Sequence, residues 1–98
     1  MQVKVTQIWT NKECEILYDD IRGEYEAYHL KEDEDVTTYT ADPGWEFSDF
    51  VQWFMLTLNG LLDPNAELTE HVASEDRETY VFQNQEDGSS YSLTFEIA

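Results

Sequence analysis

Residues 46–59 read Glu-Phe-Ser-Asp-Phe-Val-Gln-Trp-Phe-Met-Leu-Thr-Leu-Asn, and this stretch decides the fold class. Phe47, Phe50, Val51, Phe54, Met55 and Leu58 recur at steps of three and four, which gathers them on one side of a helix. Asp49 and Gln52 fall off that stripe. Asp42-Pro43-Gly44 breaks the chain before it, and Asn59-Gly60 offers a left-handed stop with Leu61 placed to close over the last turn. The pattern predicts one principal helix over about residues 46–59. So aromatic a stripe needs something broad to cover, and a sheet is the natural object.

Strand patterns flank the helix. Tyr91, Leu93, Phe95 and Ile97 alternate with Ser92, Thr94 and Glu96, the period of a half-buried strand. Tyr80-Val81-Phe82 precedes them across residues 85–89, which predicts a hairpin with Asp87-Gly88 in its turn. On the N-terminal side, Val3, Val5 and Ile8-Trp9 suggest a first strand. Residues 25–30 and 36–40 read as a second hairpin whose loop is Lys31-Glu32-Asp33-Glu34-Asp35. Asp63-Pro64-Asn65 opens either a short helix, with Leu68 and Val72 on one face, or a loop leading to a strand.

Residues 11–28 admit two readings. Thr10-Asn11-Lys12-Glu13 has the form of a helix capping box, and Cys14, Leu17, Ile21, Tyr25 and Tyr28 are helically spaced. Alternatively, Cys14, Ile16 and Tyr18 alternate on a strand that ends at Asp19-Asp20-Ile21-Arg22-Gly23. A glycine inside a helix costs about 1 kcal/mol relative to Ala, and the β-branched and aromatic content favours strand, so the strand reading is preferred. The expected architecture is α+β: a mainly antiparallel β-sheet with one principal amphipathic helix packed on one face, in a single acidic domain spanning residues 1–98.

The composition adds an unusual charge. Twenty-two Asp and Glu face five Lys and Arg, a formal net charge of −17. High net charge is a signature of disorder, yet 41% of the chain is hydrophobic and 14% aromatic, enough to anchor a small core. The acids stand inside or between the expected elements rather than in a terminal tail. One cysteine excludes an internal disulfide framework. No basic region followed by an apolar run begins the chain, and residues 45–62 are too polar to span a membrane. A cytoplasmic protein is expected, without membrane partners.

Candidate chemistry is sparse. Cys14, His29 and His71 are the only thiol and imidazoles, and nothing in their spacing joins them into a nucleophile–base pair. His29 reads as a sheet-face residue and Cys14 as a small core residue. The 32–35 run lacks the central Gly of a Ca²⁺ loop, and no cofactor motif is present. Direct nucleic-acid binding draws on Lys and Arg, and five bases scattered among acids cannot form such a patch. The inverse role fits better. A B-form duplex carries about one charge per 1.7 Å of axis, and a rigid acidic domain can enter the basic groove shaped for it. Asp19, Asp20, Glu24, Glu26, Glu32, Asp33, Glu34 and Asp35 are the candidate partner-binding residues, with Trp9, Trp45 or Trp53 as candidate aromatic anchors.

As a short, very acidic α+β chain without a catalytic motif, the sequence resembles, at the level of class, phage-encoded inhibitors that mimic DNA, including many anti-CRISPR proteins. It also resembles some immunity proteins against nuclease toxins. The resemblance rests on size, charge and the lack of catalytic motif over the whole chain, and no residue role carries over. It implies a non-enzymatic, stoichiometric inhibitor of a positively charged nucleic-acid-binding protein, such as a CRISPR effector or nuclease, acting in the host bacterial cytoplasm. A halophilic acidic domain with no basic partner is the alternative, since solubility alone needs a net charge of only about 2–8 in magnitude.

Overall fold

The structure, a computed structural model, describes residues 1–58, 62 and 64–98. In chain order the elements are β1 (Gln2–Asp19), β2 (Gly23–Thr40), α1 (Phe47–Leu58), β3 (Ala66–Ala73), β4 (Arg77–Asn84) and β5 (Ser90–Ile97). The strands form one sheet in the order β2-β1-β5-β4-β3, and every ladder is antiparallel. The α+β architecture expected from the sequence is the one the chain adopts.

Local sequence explains how the helix starts. Asp42-Pro43-Gly44-Trp45 forms a tight turn, with the Trp45 N–H donating to the Asp42 carbonyl at 3.1 Å and Gly44 at φ 88°. Proline second and a positive-φ glycine third are what a type II turn requires. The Glu46 N–H then donates to the Asp49 carboxylate at 2.9 Å, so the third helical residue satisfies the capping residue's amide. Asp49 also lies in the first turn, where the helix dipole favours a negative charge. The expected stop at Asn59-Gly60-Leu61 lies outside the described residues, as does Asp63.

The helix packs its stripe on one face of the sheet. Phe50 and Val51 are buried with Val3, Val5, Ala41, Leu93 and Phe95, while Phe47, Phe54, Met55 and Leu58 pack around them. Phe54 meets Phe95 edge-on at 5.3 Å, and Tyr39 contacts Phe54 at 5.9 Å. Complete burial of a side chain such as Leu93 or Phe95 stabilises the fold by about 1.5–3 kcal/mol. The hairpin of β4 and β5 turns at Asp87-Gly88 as expected, with Gly88 at φ 75°. The 64–65 segment leads into a strand, not a helix. β3 carries a bulge at Thr69, between Leu68 and Glu70.

Two expectations about the N-terminal half need correction. Residues 31–35 are not a loop: β2 runs unbroken from Gly23 to Thr40, and Lys31–Asp35 pair residue by residue with Asn11–Gln7. The segment contains no Gly or Pro to break it. At a sheet edge its acids can also point into water, so poor strand propensity does not decide its structure. The turn falls instead at residues 20–22, where Asp19 accepts the amides of Ile21 at 2.8 Å and Arg22 at 3.2 Å. Gly23 follows at φ 75°, a conformation that favours glycine. The strand reading of residues 11–19 therefore holds, and that strand is continuous with the one through Val3 and Val5. Second, Cys14 is exposed and not a core residue, because it projects from the face opposite the helix, in a part of the sheet that no element covers.

That uncovered part follows from a mismatch of lengths. A helix of 12 residues is about 18 Å long, whereas a strand of 18 residues reaches about 60 Å. β5 pairs only with Val3–Thr10 of β1. Beyond that point β1 and β2 continue alone as a two-stranded arm, residues 11–31. The radius of gyration is 17.8 Å and the long dimension 65 Å, against a radius of about 13 Å for a compact chain of this length.

Candidate partner-binding surface

The arm and the edge strand that runs along it hold all eight acids singled out from the sequence. Asp19 and Asp20 stand at the tip, and the other six lie along β2. Strand alternation divides these six between two faces. Asp33 and Asp35 pair with Trp9 and Gln7 on the helix side, whereas Glu24, Glu26, Glu32 and Glu34 share the back face with Tyr18, Ile16, Thr10 and Ile8. They therefore form a rail about 40 Å long rather than a cluster. Where all four positions of 32–35 are acidic, each face of the strand carries one charge per roughly 6.8 Å, twice the axial charge spacing of one DNA strand.

The two faces of the arm differ in how their charges are satisfied. On the helix side, Glu13 lies 3.7 Å from His29 Nε2 and 3.9 Å from Lys31 Nζ. At the tip, Arg22 lies over the Tyr25 ring at 4.2 Å and reaches Asp19 at 4.0 Å. These exposed pairs contribute little stability, but they reduce the local negative field. On the back face the only base within the arm is Lys12, which lies over the Tyr28 ring at 4.8 Å. Tyr28 donates its hydroxyl to Glu26 at 2.6 Å. That hydrogen bond and the charge of Glu26 push the Tyr28 pKa up to about 12.

The back face also carries apolar side chains that the sequence reading did not assign to the surface. Ile16 is 61% exposed, Tyr18 73%, Tyr28 57% and Leu30 59%, with Val36 further along at 48%. All five share one face by register. The signal was present as the alternation Glu24, Glu26, Tyr28, Leu30, Glu32, Glu34, but it is legible only once residues 23–40 form one strand.

The tryptophans lie elsewhere. Trp45 and Trp53 pack edge-on at 6.1 Å beside the helix, and Trp53 also contacts Phe50. Trp9 leans on Tyr91 at 5.6 Å, on the helix side at the base of the arm. There Trp9, Tyr91, Phe82 and Leu58 help line a concavity of about 390 Å³. Tyr91 donates to Gln7 Oε1 at 2.7 Å, and burial pushes its pKa up to about 12.

Cys14 and His29 are neighbours in the ribbon but project to opposite faces, since Cys14 pairs with Tyr28 and Glu13 with His29. His71 is on β3, stacked on Tyr80 at 4.2 Å and 2.7 Å from Glu78. Among the described residues, no three His, Cys, Asp or Glu side chains converge in a way that could hold a metal ion. Nor is any helix among them long and apolar enough to cross a membrane. Comparison with family models, curated proteins and solved structures found no match to this chain.

Proposed function

We propose that the protein is a stoichiometric inhibitor that occupies the basic nucleic-acid groove of a nucleic-acid-processing protein, such as a CRISPR effector or nuclease, as a DNA mimic. The observation that carries this reading is the acidic rail of β2, held on a strand and extended along a projecting arm. Hydrogen-bonded pairing to β1 orders the rail before binding, so little conformational entropy remains to be lost on association. A field of −17 would steer a basic partner and give association rates that fall steeply with salt. No chemistry is required of the chain, and the partner is blocked by occupancy in the host cytoplasm.

The test is competition. Purified CRISPR effectors, restriction endonucleases and toxin nucleases are each titrated with the protein while bound to labelled duplex DNA. The expected result is one-to-one displacement of DNA from at least one of them. Lys at positions 32, 33, 34 and 35 should abolish it. Displacement that survives this charge reversal would remove the β2 rail from the mechanism. A panel in which no enzyme is displaced, with a protein that unfolds near physiological salt and folds only in molar salt, would favour the halophilic reading.

A further inference from the structure

We propose that the outer edge of β2 receives an extended basic segment of the partner as an additional strand, read by a basic–apolar–basic pattern. The proposal rests on the reading of this protein as an acidic binder of a basic partner, and it names how that partner is recognised. β2 is the terminal strand of the sheet. Its 18 residues offer an edge of about 60 Å whose outward backbone amides and carbonyls have no strand beside them among the described residues.

Proteins ordinarily blunt such an edge by shortening it, bulging it or covering it. The opposite edge of this sheet is treated in that way: β3 has 8 residues and a bulge at Thr69. β2 has neither remedy. It is paired to β1 without a register shift from Gly23 to Thr40, and it contains no proline. Its protection is charge alone, and charge discriminates between occupants.

The back-face row of β2 reads Glu24, Glu26, Tyr28, Leu30, Glu32, Glu34, and it is symmetric about residue 29. Two copies meeting antiparallel about that point would set Glu24 against Glu34 and Glu26 against Glu32. A parallel in-register pairing would set each acid against itself. Like charges directly opposite one another are destabilising, so both of these registers disfavour a second copy. A strand with Lys or Arg opposite the four acids, and apolar residues opposite Tyr28 and Leu30, gains at every one of those positions. Main-chain hydrogen bonds would supply affinity and the alternating side chains specificity, as in strand addition generally. Tyr28 and Leu30, both more than half exposed, become the desolvated centre between two charged flanks.

The probe is a fluorescent peptide with Lys at two alternate positions, Val at the next two, Lys at the next two, and Thr between them. Binding to the intact protein is followed by polarisation at low and physiological salt. The coded peptide is expected to bind, more weakly as salt rises. A shuffled peptide with Lys in the centre and Val outside is expected to bind at least about tenfold more weakly, from several mismatched cross-strand pairs. N-methylation of alternate amides along one peptide edge should abolish binding, while the same change on the other edge should not. Hydrogen exchange should slow at β2 amides within 24–36. Equal binding of coded and shuffled peptides, indifference to N-methylation on either edge, or protection at β3 instead would each overturn the proposal. Loss of DNA displacement with peptide binding intact would sink the inhibitor reading alone. Displacement without peptide binding would sink strand addition alone.

Discussion

The base and the arm of the β1–β2 hairpin are made of the same two strands in one unbroken register, yet they are held by different forces. At the base, Val3 and Val5 have no solvent exposure and share the core with Phe50 and Phe95. In the arm, Ile16 and Tyr18 stand on the face opposite the helix, with most of their surface in water. The base is stabilised by burial between helix and sheet. The arm has only cross-strand pairs, a tight turn and its continuity with the base. A two-stranded ribbon is marginally stable in water by itself.

Truncation at the two ends of this comparison should have very different costs. Phe95→Ala removes a ring with no exposure and is expected to lower unfolding stability by about 3–5 kcal/mol, measured in urea. Ile16→Ala should stay within about 0.5 kcal/mol, as exposed substitutions usually do. Comparable losses at both positions would mean that the arm is packed against something in solution.

Gly23→Ala probes the arm separately. Forcing an L side chain to φ 75° costs about 1–2 kcal/mol. The loss should appear as faster hydrogen exchange of amides in residues 11–31, with those around Val3 and Val5 much less affected. Uniform acceleration throughout β1 would show that base and arm open together.

Alkaline pH separates the two regions by a third route. Tyr80 and Tyr91, in the body, have pKa values raised from 10.0 to about 12, with burial the first cause for each and Glu78 adding to it for Tyr80. Because the folded values lie above the unfolded one, the stability these tyrosines contribute is complete below pH 10. It is lost as pH rises through about 12. Their phenolate absorbance should therefore emerge together with unfolding. Tyr28, in the arm, owes its shift first to the hydrogen bond with Glu26 and then to that residue's charge. Glu26→Gln should move the Tyr28 titration back towards 10 with no measurable change in stability, the smallest effect of the series.

Much of this architecture was legible in the chain. The 46–59 periodicity, the Asp42-Pro43-Gly44 turn and the Asp87-Gly88 hairpin each rest on contacts within a few residues, so local sequence specifies them. Residues 25–40 were misread for the complementary reason. Lys31-Glu32-Asp33-Glu34-Asp35 has the composition of a loop, and only its partners Gln7–Asn11, far away in sequence, hold it as strand. The same error concealed the surface. Treated as a loop, residues 31–35 were a charge cluster; as strand, they divide between two faces and align with Tyr28 and Leu30. Cys14 was assigned to the core because small apolar residues are usually buried, and periodicity cannot say whether anything lies above a strand.

By itself, then, the sequence determined the kinds of element, their turns and the −17 charge, since these depend on neighbouring residues or on composition. The tertiary structure alone decided that residues 31–35 are strand, and with it which acids share the face opposite the helix with exposed apolar residues. A 12-residue helix and a short β5 cannot cover 18-residue strands. That difference in length leaves half of an ordinary hairpin projecting as an arm, and its exposed apolar side chains stand on the face away from the helix.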